Sequence, residues 1–178
     1  MLKHAQKVVE KLKEKGLTLS CAESCTGGLI AANITAVSGA SEVFGLGVVS
    51  YAEVMKRKFL KVPKKTLKNF GTIAPDTAYY MAKGVKRKAK SDIAISVTGV
   101  AGPSKSEGKP VGLVYIGLCA KNLAVVLELK ADETLSRDEI RSEAVKTAFS
   151  LVLKYINGEL ENQKNTKYLF IINKAERG

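Results

Sequence analysis

Apolar positions recur at helical spacing along the first 15 residues. Leu2, Ala5, Val8, Val9 and Leu12 share one face, lysines occupy the other, and Gly16 ends the pattern. Leu17 to Ala22 reads as a first strand. The chain turns at Glu23-Ser24 and continues as a helix through Leu29 to about Ala36. Gly47 to Tyr51 reads as a second strand, continuous enough in apolar character to be central in a sheet. Ala52 to Phe59 predicts a short helix and Lys64 to Asn69 another, with Pro63 between them. Ala74-Pro75-Asp76 opens a longer helix to about Lys90, with proline at a tolerated first-turn position and Ala78, Met81, Ala82 and Val85 inward. Ile93 to Thr98 is a third strand. Val111 to Leu118 and Leu123 to Lys130 read as an antiparallel pair around Lys121-Asn122. Thr134 or Ser136 caps a last helix through Tyr155, with Ile140, Ala144, Thr147, Ala148, Leu151 and Val152 inward, and Asn157-Gly158 stops it.

Strands alternating with helices predict an α/β protein, and the adjacent late strands make the sheet mixed rather than purely parallel. The 178 residues fit one domain, over 1–158. The tail 159–178 is polar except for Tyr168 to Ile172, an extra strand or a docking segment.

Composition narrows the function. No apolar run is long enough to cross a membrane, and the N-terminus lacks the apolar core of a signal peptide, so the expected location is cytoplasmic. Cys21, Cys25 and Cys119 have no framework spacing and read as reduced, mostly buried thiols. With His4 as the one histidine, on a surface helix, neither a zinc site nor a Ser-His-Asp triad is expected. The net charge of +12 raises nucleic acid as a partner. The basic clusters at 56–65 and 83–90 carry too few aromatic residues for a stacking platform, so an anionic small molecule or a generally basic surface explains the charge as well.

The candidate chemistry lies at strand ends, where open α/β sheets bind ligands. After the first strand comes Ser24-Cys25-Thr26-Gly27-Gly28. The first N–H groups of a helix there favour negative charge, and Gly27 and Gly28 admit close approach to the backbone. A serine beside such donors suits a nucleophile at an oxyanion hole; equally, Ser24 or Thr26 could simply cap the helix. Tyr51 and Lys56 follow the second strand, and Thr98-Gly99 end the third. A base for Ser24 would have to be a neutral amine, and Lys56 is a candidate, against the plainer reading of a solvated surface lysine. The loop from Gly99 to Pro110, rich in Gly, Pro and Ser, has a functional composition. Arg137 and Arg141, one helical turn apart, could clamp a phosphate or carboxylate, or pair with Asp138, Glu139 or Glu143.

Ala22 to Gly28, then Gly47 to Tyr51 with Lys56, Leu60, Val62 and Pro63, then Thr98 to Pro103 with Lys109 to Gly112, then Arg137 and Arg141, resemble in order and spacing the CinA C-terminal domain family over about residues 3–156. The resemblance implies a three-layer α/β/α domain. It implies nicotinamide mononucleotide amidohydrolase activity without metal or cofactor, releasing ammonia and nicotinate mononucleotide. The family's serine nucleophile falls on Ser24, its lysine base on Lys56, and its active-site tyrosine, threonine and arginine on Tyr51, Thr98 and Arg137. Further substrate-binding candidates are Cys25, Thr26, Gly27, Gly39, Gly99 and Arg141. A homo-oligomer is implied too. The stretch Ser104 to Gly108 carries fewer glycines than the family's usual loop and is one residue shorter. The chain is expected to be the stand-alone form, without the molybdopterin-binding-like domain that precedes many members. The rival readings are a non-catalytic nucleotide-binding member and a basic protein associated with DNA.

Overall fold

A computed structural model describes residues 1–160 and the short strand at 169–171. In chain order the elements are α1 (Leu2–Lys15), β1 (Leu19–Glu23), α2 (Leu29–Thr35), β2 (Phe44–Val49), α3 (Glu53–Leu60), α4 (Lys64–Phe70), α5 (Pro75–Ala89), β3 (Ile93–Gly99), β4 (Leu113–Cys119), β5 (Ala124–Lys130), α6 (Arg137–Ile156) and β6 (Leu169–Ile171). The sheet order is β2-β1-β3-β4-β5-β6. β1 pairs parallel with both β2 and β3, and the remaining pairings are antiparallel. The fold is therefore α/β with a mixed sheet in one domain.

Burial explains the layering. Every residue of β1 and β4 is buried, and all of β3 but its last. Such strands must be covered on both faces. Val8, Leu12, Ile34, Ile140 and Phe149, from α1, α2 and α6, cover one face. Leu60, Leu67, Met81 and Val85, from α3, α4 and α5, cover the other.

Connections from β1 and β3 leave in opposite directions. β1 passes through α2 to β2 on one side, and β3 passes through the long loop to β4 on the other. A crevice opens at the carboxyl ends of such strands. Ser24 follows β1 there, and Thr98-Gly99 end β3 there.

β2 lies at the edge of the sheet, not centrally. Its residues alternate between half-buried and exposed, because only one face meets the core; Val49, outward, is 52% exposed. The apolar run misled because glycine and valine tolerate either environment. Ser50 and Tyr51, expected within the strand, have already left it. Leu169–Ile171 pairs with Val125 to Leu127 of β5. The rest of the apolar run at 168–172 lies outside the described residues. No helix among the described residues is long and apolar enough to cross a membrane.

Candidate active site

The turn after β1 is built around Glu23. Its side chain is fully buried, and its carboxylate accepts the N–H groups of Gly28 (3.1 Å), Ile30 (3.1 Å) and Ala31 (3.0 Å). Gly28, at φ 99, is the N-cap of α2 and provides no side-chain cap. Neither Ser24 nor Thr26 caps the helix, since a carboxylate one residue before Ser24 already satisfies the orphan donors. The negative charge expected at this helix terminus is thus the chain's own Glu23. The terminal N–H groups of α2 are occupied and cannot serve as an oxyanion hole. Ser24 is left with its hydroxyl uncommitted to the helix, while its N–H donates to Val97 O (3.0 Å) and ties the turn to β3. The N–H of Cys25, beside Ser24, makes no backbone–backbone hydrogen bond among the described residues and neighbours its own thiol.

Lys56 lies on α3, an amphipathic helix with exposed Arg57 and Lys58 beside it, yet Lys56 is only 1% exposed. Its Nζ donates to Ser24 Oγ (2.8 Å), Ser50 O (2.8 Å) and Tyr51 O (3.1 Å). Burial pulls its pKa down from 10.5 to about 8, against the opposing influence of Cys25, Glu107 and Glu53. The solvated surface lysine is excluded. An ammonium has three donors and three acceptors surround this one. Of its three protein neighbours only the Ser24 hydroxyl can give the deprotonated amine a proton, because the other two are carbonyls.

Ser24 opens onto a cavity of about 250 Å³ whose walls include Cys25, Tyr51, Thr98, Gly99 and Arg137. Arg137 begins α6, whose start is set by a capping box between Ser136 and Glu139. Its guanidinium donates to the Gly102 carbonyl and to Tyr51 OH (3.1 Å). Tyr51 is 62% exposed, at the cavity mouth. The Thr98 hydroxyl donates to Thr72 O (2.7 Å), which joins β3 to the segment between α4 and α5.

That segment forms a wall that sequence reasoning missed: Thr72 and Ile73, facing Ser104 and Ser106 of the long loop. The loop is fastened to it. Glu107, in the left-handed region at φ 51, accepts the N–H of Thr72 (2.9 Å), its hydroxyl and the N–H of Ile73 (3.4 Å). Gly71, at φ 80 and ψ −173, holds a backbone conformation that other residues adopt only with strain, and it brings the chain close to the Glu107 carboxylate. Lys109 donates to the carbonyls of Phe70 (3.1 Å) and Ile73. Glu107 and Lys109 stand two apart in a polar loop, a pattern with no periodicity to mark it.

The CinA C-terminal domain family matches residues 1–156. The chain belongs to the CinA family. A competence-damage inducible protein of Caldanaerobacter subterraneus subsp. tengcongensis is 47% identical over 152 residues, covering 85% of this chain and 36% of that protein. A CinA-like protein of Kosmotoga olearia is 44% identical over 146 residues, covering 82% of this chain and 35% of that one. The chain spans little more than a third of the length of these relatives. Among solved structures, a competence/damage inducible protein of Agrobacterium tumefaciens superposes with a TM-score of 0.82 at 38% identity, covering 88% of this chain and 94% of that one. A CinA superfamily protein of Klebsiella pneumoniae gives a TM-score of 0.85 at 27% identity, with 88% and 98% covered.

In this CinA domain Ser24, Cys25, Tyr51, Thr98, Gly99 and Arg137 share one cavity, with Lys56 behind Ser24. Four other candidates fall outside it. Gly39 adjoins Lys13 and Glu42, beside α1. Arg141 pairs with Asp138 (2.7 Å) and donates to Thr26 O (3.1 Å), so it braces the turn and does not join Arg137 in a clamp. One helical turn between two arginines sets their shared face, but an acidic neighbour and a bare carbonyl capture the second. Thr26 is fully buried, and Gly27, at φ 59, packs near Arg141. Cys21, Cys25 and Cys119 are buried free thiols.

Proposed function

We propose that this CinA domain is an amidohydrolase that converts nicotinamide mononucleotide to nicotinate mononucleotide and ammonia in the cytoplasm, acting as a homo-oligomer. The observation that carries the reading is the buried Lys56 Nζ, 2.8 Å from Ser24 Oγ with its pKa lowered to about 8. A hydroxyl paired with a depressed amine is an activated nucleophile.

Ser24 Oγ attacks the carboxamide carbon while Lys56 takes its proton. The N–H of Cys25 is the donor available to the oxyanion. Lys56 then passes the proton to the departing nitrogen, and ammonia leaves. Water, deprotonated by Lys56, attacks the acyl-serine carbon; the carboxylate forms and the proton returns to Ser24 Oγ. Ser50 O and Tyr51 O hold the ammonium while it carries the proton. Arg137 supplies a cation for the substrate phosphate, with Ser104 and Ser106 as further donors at the same wall.

Ammonia release from nicotinamide mononucleotide by the purified protein tests the reading, beside Ser24→Ala and Lys56→Ala. Release by the wild type and its loss in both variants is expected. Substrate binding without ammonia release, from folded protein across pH 6–10, would overturn it in favour of a non-catalytic nucleotide-binding domain.

A further inference from the structure

The opposite pole of the sheet holds a second, larger cavity, of about 550 Å³. It forms where α5 ends, where β3 begins and where β4 turns into β5. β3 separates it from the Ser24 crevice: seven residues at about 3.3 Å each, or roughly 20 Å. Lys83, Lys86, Arg87, Lys90 and Lys121 line it, and no carboxylate does among the described residues.

Cations in the last turn of a helix ordinarily answer its dipole. That accounts for Lys86 and Arg87, but Lys83 stands a turn earlier and Lys121 comes from another element. The carboxylate next to this pole, Asp92, is held by the N–H (2.9 Å) and hydroxyl (2.7 Å) of Thr18 and does not line the cavity. Lys86 is fixed by a hydrogen bond to Ser91 O (2.9 Å). The Lys83 ammonium lies 5.5 Å from the Tyr79 ring centre. Lys83, Lys86, Arg87 and Lys90 are thus gathered around one concavity, with no carboxylate among the described residues of its walls. Tyr79, Ala120, Leu123 and Ala124 give it an apolar side as well.

We propose that this cavity binds a nucleotide carrying two or more phosphates, its phosphates against the α5 cations and its base against the Tyr79–Leu123 wall. Such a ligand needs the two things this site combines, clustered positive charge and an apolar platform. The volume lies within the usual range for ligand pockets, about 300–1,000 Å³. An extended nucleic acid would instead need a groove that tracks its backbone and repeated stacking residues. The site is independent of the reaction proposed at Ser24.

The test is titration of the full chain, at low and physiological salt, with adenosine 5′-triphosphate, inorganic tripolyphosphate, adenosine and a single-stranded oligodeoxynucleotide, with backbone amide shifts as the readout. The triphosphate is expected to move amides in 83–91 and 119–124 and to leave Ser24 and Thr98 still, while adenosine does not bind. The exposed pair Lys83→Gln with Arg87→Gln should weaken binding at least about tenfold. Ser24→Ala, and Lys88→Gln on the same helix but outside the cavity, should not change it. No triphosphate binding, or shifts confined to the Ser24 cavity, overturns the proposal. Tripolyphosphate binding as tightly as the nucleotide overturns the base contact. Oligonucleotide binding that displaces the triphosphate and weakens equally in Lys88→Gln replaces the proposal with a general nucleic-acid surface.

Discussion

The two ends of β3 treat lysine in opposite ways. At the carboxyl end Lys56 is buried, its Nζ surrounded by one hydroxyl and two carbonyls. At the other end the cations of α5 stand around a cavity with no carboxylate among the described residues of its walls. Lys56 also differs from Lys58 on its own helix, two residues on and exposed. Burial, not residue type, turns an ammonium into a base: desolvation alone favours the neutral amine. The lysines of α5 stand at the surface, where clustered positive charge attracts anions.

The largest test of this contrast removes the buried pair. Ser24→Ala or Lys56→Ala should lower amide hydrolysis by about 10³-fold or more, because members of a nucleophile–base pair act as a unit. Lys56→Arg should fail comparably, since guanidinium does not deprotonate near neutral pH. Single-turnover ammonia release measures both.

The pH profile sharpens the same point. Lys56 must be neutral to accept the Ser24 proton, and its pKa is lowered to about 8. kcat/KM should rise with pH, about tenfold per unit below that value, and level off above it. A profile flat from pH 6 to 9 would remove Lys56 as the base.

Arg137→Gln tests the cavity mouth. Losing a charge-assisted contact should raise KM for the mononucleotide by about 10- to 100-fold. The phosphate-free nucleoside should be affected little. Equal losses for both would mean that Arg137 acts through Tyr51 and Gly102 alone.

Glu107→Ala should have a smaller effect. It frees the long loop from Thr72 and Ile73, and turnover should fall by about tenfold through lost positioning. Glu107→Gln, which keeps one acceptor, should fall less. The smallest change belongs to the surface lysines of α5: Lys88→Gln should leave hydrolysis unchanged and alter stability by less than about 0.5 kcal/mol.

Much of the fold was legible because burial writes itself into spacing. α1 follows its apolar stripe over Leu2–Lys15, and α5 and α6 follow theirs with proline and a capping box at their starts. β3 and β4 are near-continuous apolar runs. The rank of β2 was not legible, since an apolar strand does not say how many neighbours it has. Ser24, Tyr51 and Thr98 were legible as residues at or after strand ends and Arg137 as the start of the last helix, and all four line one cavity. Arg141 and Gly39 show the limit: a shared helical face or a loop glycine does not say which partner is nearest.

The sequence by itself determined the α/β class, the helical faces and the strand ends at which chemistry could sit, because these depend on local periodicity and turn residues. Only the tertiary structure decided that Glu23 occupies the α2 terminus, that Lys56 is buried against Ser24, and that Glu107 fastens the loop over the site. Each of those contacts joins polar groups from different segments. Their energies depend on how water is excluded when the segments pack, and no local pattern in the chain records that.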